Sequence, residues 1–79
     1  MKTSMEEKNM VYEIVAPIAV LSQKGDYSKE LNLVSYRGRE PKFDIRAWKR
    51  TEYEEMPLKG ITLTAQELTA LRSAIDELE

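Results

Sequence analysis

Hydrophobic and polar positions recur along this chain with two different periods. From Met10 to Ser22 the residues are rich in Val, Ile and Ala. Val11 to Val15 alternate, whereas Ile18 to Leu21 is apolar on both sides, and the stretch predicts a strand. Pro17 lies inside it and cannot donate to a ladder, so it predicts a sheet edge or a bend between two shorter strands. Gln23-Lys24-Gly25-Asp26 has the chemistry of a turn. A second strand is expected from about Lys29 to Arg37, closed by the punctuated connector Arg37-Gly38-Arg39-Glu40-Pro41. The third strand, Lys42 to Lys49, is the clearest. Phe43, Ile45 and Ala47 share one side of it, and Lys42, Asp44, Arg46 and Trp48 share the other.

Thr51 to Leu58 reads as an acidic connector, and Gly60 to Leu63 as a short fourth strand. The period then changes. Thr64-Ala65-Gln66-Glu67 matches a capping box, and Leu68, Leu71, Ile75 and Leu78 step by three, four and three residues along one helical face. A helix of about 15 residues would be roughly 22 Å long, enough to cross a four-stranded sheet. The expected fold is α+β, a four-stranded antiparallel sheet followed by one C-terminal helix in the order β-β-β-β-α. Residues 10–79 form one domain behind a polar N-terminal tail, residues 1–9. One helix can cover one face of such a sheet and leaves the other to solvent or to a partner.

Composition narrows the chemistry. The 79 residues contain neither Cys nor His, which removes disulfides, Cys/His zinc sites, thiol nucleophiles and imidazole catalysis. Ser22, Ser28, Ser35 and Ser73 therefore have no histidine base, and the three glycines are isolated rather than gathered in a phosphate loop. Glu52, Glu54 and Glu55 sit together in what reads as a solvated loop with no pocket to shift them. No enzyme is expected, and no cofactor, metal or small-molecule substrate. The uncharged run from Ile14 up to Lys24 is far shorter than the ~20 apolar residues of a membrane span. The first ten residues lack the basic start of a secretory signal, so the expected location is cytoplasmic. A domain this small, without staples, also gains from dimerisation.

The net charge of −2 conceals a polarity. Residues 23–50 carry eight cations and four acids, a net +4, whereas residues 51–79 carry two cations and seven acids, a net −5. A basic sheet face that meets an anion accounts for this, and so does an ordinary solvated face. Trp48 shares its side of the third strand with Lys42 and Arg46. An aromatic among cations offers a single strand both a stacking platform and phosphate neutralisation, whereas duplex DNA hides its base faces. Packing of the indole at the sheet rim or in a dimer contact is the plainer alternative. Tyr27 and Tyr36 add aromatics to the zone, in keeping with ordinary strand propensity.

Asp44-Ile45-Arg46-Ala47-Trp48 and Lys59-Gly60-Ile61-Thr62-Leu63, together with the stretch from Lys29 to Asn32 and Glu40-Pro41-Lys42-Phe43, resemble the transcriptional coactivator p15 (positive cofactor four) family, in particular its small bacterial members. The resemblance extends over about residues 10–78. It implies a curved sheet, a homodimer built largely through the helices, and single-stranded DNA lying across the sheets with little sequence preference. Arg46 and Trp48 match the family's DNA-contacting Arg and stacking Trp, Lys59 matches a Lys just before the last strand, and Tyr36 falls near a base-contacting aromatic. Two departures stand out. Glu52, Glu54 and Glu55 replace basic residues of the eukaryotic loop, and the Ser/Lys-rich regulatory arm of those members is absent, so their coactivator activity is not carried over.

The leading expectation is a homodimer that binds single-stranded DNA, or RNA, in a regulatory role in transcription. Its contacts would be Lys29, Tyr36, Arg37, Arg39, Lys42, Arg46, Trp48 and Lys59, and its dimer interface Leu68, Leu71, Ile75 and Leu78. The alternative is a protein-interaction module that uses the open sheet face or the edge of the first strand. An indole open to solvent favours the first reading, and an indole buried against another chain favours the second.

Overall fold

The computed structural model describes residues 12–78, so the tail expected at residues 1–9 lies outside the described residues. Four strands, β1 (Tyr12–Lys24), β2 (Tyr27–Tyr36), β3 (Lys42–Arg50) and β4 (Glu55–Leu63), precede one helix, α1 (Ala65–Leu78). The strands form an antiparallel meander in the order β1-β2-β3-β4. The α+β fold expected from the sequence is the fold observed.

Both strand prolines lie on the edge strands, Pro17 in β1 and Pro57 in β4, where a missing donor costs no ladder bond on the outer side. β1 is one strand rather than two. It slips register against β2 three times, between Ile14 and Ala16, Pro17 and Ala19, and Val20 and Ser22. Each slip leaves one residue unpaired, namely Val15, Ile18 and Leu21, all about half exposed. Repeated bulges bend and twist a strand, and they explain why the apolar alternation fails after Val15.

The turns follow their residues. Gly25 supplies a φ of 60° at the first position of the two-residue loop between β1 and β2, where a II′ turn needs it. Arg37 and Gly38, with φ 57° and 73°, have the two positive angles of a I′ turn, and Arg39 N–H donates to the Tyr36 carbonyl at 3.1 Å. Thr51 shapes the connector into β4 by accepting at its hydroxyl from the N–H groups of Tyr53 and Glu54, each at 3.1 Å. That connector is shorter than the expected Thr51–Leu58, because β4 begins at Glu55 rather than Gly60. The acidic residues Glu54 and Glu55 hid this start, since they belong to ion pairs with Lys49 and Arg50 of β3.

Gly60 sits where β4 crosses closest to β3. A Cβ there would stand 2.5 Å from both Arg46 Cβ and the Ile45 carbonyl oxygen, so the position accepts no side chain. Directly before it, β4 carries one residue more than β3 between the pairs Arg46–Gly60 and Trp48–Pro57. This bulge contains Leu58 and Lys59.

The capping box forms as expected. Glu67 N–H donates to Thr64 Oγ1 at 3.0 Å, and Thr64 N–H donates to Glu67 Oε1 at 2.8 Å. The helix does not cross the sheet, however. Thr64 alone separates β4 from α1, too short a link to turn the helix back, and among the described elements the helix meets only β3 and β4. None of its residues is buried.

Candidate nucleic-acid interface

Alternation and register put Ser28, Glu30, Asn32 and Val34 of β2 on the same face as Trp48, Arg46, Asp44 and Lys42 of β3, each directly opposite the other. This is the face on which burial concentrates. Val34 and Trp48 are its buried apolar residues, and Glu30, Asn32 and Asp44 are buried beside them. The opposite face carries Leu31, Leu33, Phe43 and Ile45, all only partly covered.

Charge on the buried face is compensated by design of neighbouring side chains. Asp44 is fully buried, and its carboxylate accepts from Tyr12 Oη at 2.8 Å and from Arg46 Nε and Nη2 at 3.0 and 2.8 Å. The last free arm of Arg46 donates to the Leu58 carbonyl at 2.8 Å, inside the β4 bulge. Glu30 accepts from Arg50 Nε and Nη2, each at 2.9 Å, and from Ser28 Oγ at 2.6 Å and Asn32 Nδ2 at 3.2 Å. Arg50 also reaches the exposed Glu55 at 2.9 Å.

The aromatic residues lie over these pairs. Trp48 and Tyr12 meet edge to face with ring centroids 5.6 Å apart. Arg50 lies 4.3 Å above the Trp48 ring, and Arg46 lies 5.6 Å from the Tyr12 ring. Trp48 is only 3% exposed, and its Nε1 finds no hydrogen-bond partner among the described residues. Of the environments the sequence left open for the indole, an exposed platform and a packed ring, the structure has the packed one, and its own chain covers it. Alternation predicts the side of a strand but not that an arginine two residues along will fold back over the ring.

These contacts shift the ionisation of two acids. The Arg50 guanidinium, helped by Ser28 and Asn32 and opposed by burial, holds the Glu30 carboxyl down at about 2. Burial, and next the hydrogen bond to Asp44, push the Tyr12 phenol up to about 12. Because the folded value of Glu30 lies below its unfolded value of 4.5, its contribution is present above pH 4.5 and is lost as pH falls through about 2. Unfolding free energy should therefore fall by up to about 3 kcal/mol across that window. Urea unfolding followed by circular dichroism at pH 5 and pH 2.5 measures it, and Glu30→Gln should flatten the slope. Tyr12 works in the other direction, its contribution being lost as pH rises from 10 through about 12.

Among the described residues, two cavities open on this face. One, of about 480 Å³, is bounded by Tyr12, Tyr36, Arg39, Lys42, Arg46 and Thr62. The other, of about 460 Å³, lies beside Pro17, Val20, Ser28, Glu30, Asn32 and Arg50. The first gathers Tyr36, Arg39, Lys42 and Arg46 from the expected contact set, and Arg37 stands next to it with its guanidinium 5.6 Å over the Tyr36 ring. Trp48 belongs to the same face. Lys59 lies in the β4 bulge and is exposed. Lys29 does not join them: it pairs with Ala47, one position out of phase with Ser28 and Trp48, and so projects from the opposite face. Tyr12 and Arg50 are the residues that sequence reasoning missed. The signal for Arg50 was available, since it continues the even-numbered series of Lys42, Asp44, Arg46 and Trp48.

The sequence profile described as Transcriptional Coactivator p15 (PC4) matches residues 24–74, more than half of the chain. The chain belongs to the transcriptional coactivator p15 (PC4) family. A protein of Treponema pallidum (strain Nichols), described as uncharacterized, is 40% identical over 68 residues, which are 85% of this chain and 78% of that one. The p15 match begins at Lys24, the last residue of β1, and spans β2, β3, β4 and most of α1. It therefore contains the whole of the Glu30–Arg50 and Asp44–Arg46 constellation. Membership in the p15 family is consistent with nucleic-acid binding as the functional class. Among the described residues, no helix is long and apolar enough to cross a membrane.

Proposed function

We propose that the protein is a homodimer that binds single-stranded DNA, with little sequence preference, on the sheet face that carries Trp48, and that it acts in transcription regulation rather than as an enzyme. The observation that supports this most is the convergence of exposed Tyr36, Arg39 and Lys42 with Arg46 around one cavity of that face. A cavity walled by an aromatic ring and cations accommodates an unpaired base and its phosphate, and it does not fit the stacked interior of a duplex. Arg37 and Lys59 extend the same cationic rim. Asp44 and Glu30 already neutralise Arg46 and Arg50, so exposed cations carry most of the phosphate contact.

The homodimer reading rests on the helix. Leu71, Ile75 and Leu78 are 40%, 48% and 85% exposed and Leu68 is only partly covered, so α1 presents an apolar stripe that its own sheet does not bury. A second copy of the same stripe covers it at least cost, because a twofold contact needs only one self-complementary surface.

Titrating the fluorescence of Trp48, the single tryptophan, with oligo-dT and with a duplex of equal length tests the reading. The single strand should bind at least tenfold more tightly. Its affinity should fall with salt with a log–log slope of roughly −2 to −3 per protomer, about −0.7 for each phosphate neutralised. Equal affinity for both forms, or none for either, would favour the protein-interaction reading, for which the half-exposed Val15, Ile18 and Leu21 of the β1 edge are the candidate surface.

A further inference from the structure

We infer that Glu30 is a positioning residue which keeps Trp48 covered by holding Arg50 over the indole, and that a phosphate of the bound strand takes Arg50 from Glu30 and so opens the ring to a base. This rests on the nucleic-acid reading above and adds to it a closed and an open state of the same face.

The geometry supports each part. Both oxygens of Glu30 are engaged by Arg50 in a two-pronged pair, and Ser28 and Asn32 hold the carboxylate from the other side. The carboxylate is thus fixed, and it fixes the guanidinium. At 4.3 Å from the ring centroid, that guanidinium occupies the position a stacked base would need. The Trp48 side chain, opposite Ser28 in the ladder and edge-on to Tyr12, has no other open face: the residue is 3% exposed. The cavity of about 460 Å³ beside Glu30 and Arg50 leaves room for the arginine side chain to swing without moving a strand. The Arg50 backbone need not follow, since its N–H is tied to the Asp26 carbonyl at 2.8 Å.

The chemistry of the exchange selects for phosphate. Arginine binds carboxylate and phosphate with the same two-pronged geometry, so a phosphate can replace Glu30 with little loss for Arg50. Glu30 is then left buried with only Ser28 and Asn32 as donors, and that residual cost opposes binding. Glu55, the second partner of Arg50, is exposed and gives way readily. Uncharged ligands offer Arg50 nothing in exchange and leave the indole closed.

Acrylamide quenching of Trp48 in ligand-free protein reads the cover directly, and oligo-dT titration reads its cost. Glu30→Gln should raise the quenching constant at least twofold and tighten oligo-dT binding about tenfold while leaving the salt slope unchanged, because a phosphate engages Arg50 in either protein. Arg50→Ala should raise quenching as well, yet weaken binding and make the slope shallower. A purely structural role for Glu30 would not move the two affinities in opposite directions. Unchanged quenching in folded Glu30→Gln overturns the inference, as does raised quenching without tighter binding. If Glu30→Gln does not fold, Arg50→Ala with unchanged quenching overturns it equally. If both variants uncover Trp48 while the wild type fails to bind oligo-dT, the cover stands and the nucleic-acid reading falls.

Discussion

Replacing Asp44 by alanine is expected to remove about 3–5 kcal/mol of unfolding free energy, the cost of breaking a buried ion pair by deleting one partner. Asp44 is 0% exposed and is the shared acceptor of Tyr12 and Arg46. Among the described residues, its loss leaves the Arg46 guanidinium, only 18% exposed, with the Leu58 carbonyl as its remaining hydrogen-bond partner, and leaves the Tyr12 hydroxyl without one. A domain of this size has a total stability of roughly 4–12 kcal/mol, so the change removes about a quarter of it or more. Thermal denaturation should show a fall of about 15 °C or more. The double change Asp44→Leu with Arg46→Met distinguishes the pair from the shape of the site. It removes both charges and keeps the volume, and should recover a large part of the loss. A single variant as stable as the wild type would mean that the pair is not the centre of this face.

That centre was only half legible beforehand. The even-numbered series from Lys42 to Trp48 placed Asp44, Arg46 and Trp48 on one side of one strand, and the register keeps them there. What alternation could not give is which side of the sheet is the dry one. Phe43, Ile45 and Ala47 make up the apolar side, yet they remain partly exposed, while Asp44 and Trp48 of the other series are buried. The reason is that polar groups on that series satisfy one another across strands. Glu30 is tied to Arg50 over 20 residues of sequence and Tyr12 to Asp44 over 32, and pairings at such separations leave no periodic trace.

The irregular positions divide in the same way. The capping box at Thr64 and Glu67 is local, four residues long, and it formed as read. The start of β4 was misplaced because Glu54 and Glu55 look like loop residues until Lys49 and Arg50 are set opposite them. Gly60 read simply as part of a family-like motif, and its physical reason, the backbone of β3 at 2.5 Å from any Cβ, exists only in the paired sheet. In β1 the spacing Val15, Ile18, Leu21 was present in the sequence as a period of three, and it marks the three bulges. A period of three is compatible with neither a flat strand nor a long helix, and the reading of that stretch as apolar on both faces was the trace of it.

The helix stripe gives the second large effect. Leu71 and Ile75 stand four residues apart on α1, and both are nearly half exposed in a single chain. Changing both to glutamate should therefore cost an isolated protomer little. In a dimer that buries the stripe, four side chains are replaced at one interface, each contributing about 1.5–3 kcal/mol, and two pairs of like charges are created. The dissociation constant should rise by at least about 10⁴-fold. Sedimentation at micromolar concentration should then show a monomer in place of a dimer. Denaturation midpoints that rise with protein concentration in the wild type should cease to do so in the variant. Binding separates the two contributions further. An oligonucleotide too short to reach both protomers should bind the variant as it binds the wild type, because none of the proposed contact residues lies on α1. One long enough to span both should lose its avidity, since the second face is no longer held at high effective concentration. A variant that stays dimeric would place the contact elsewhere, with the partly exposed Leu31, Leu33, Phe43 and Ile45 of the other sheet face as the next surface to test.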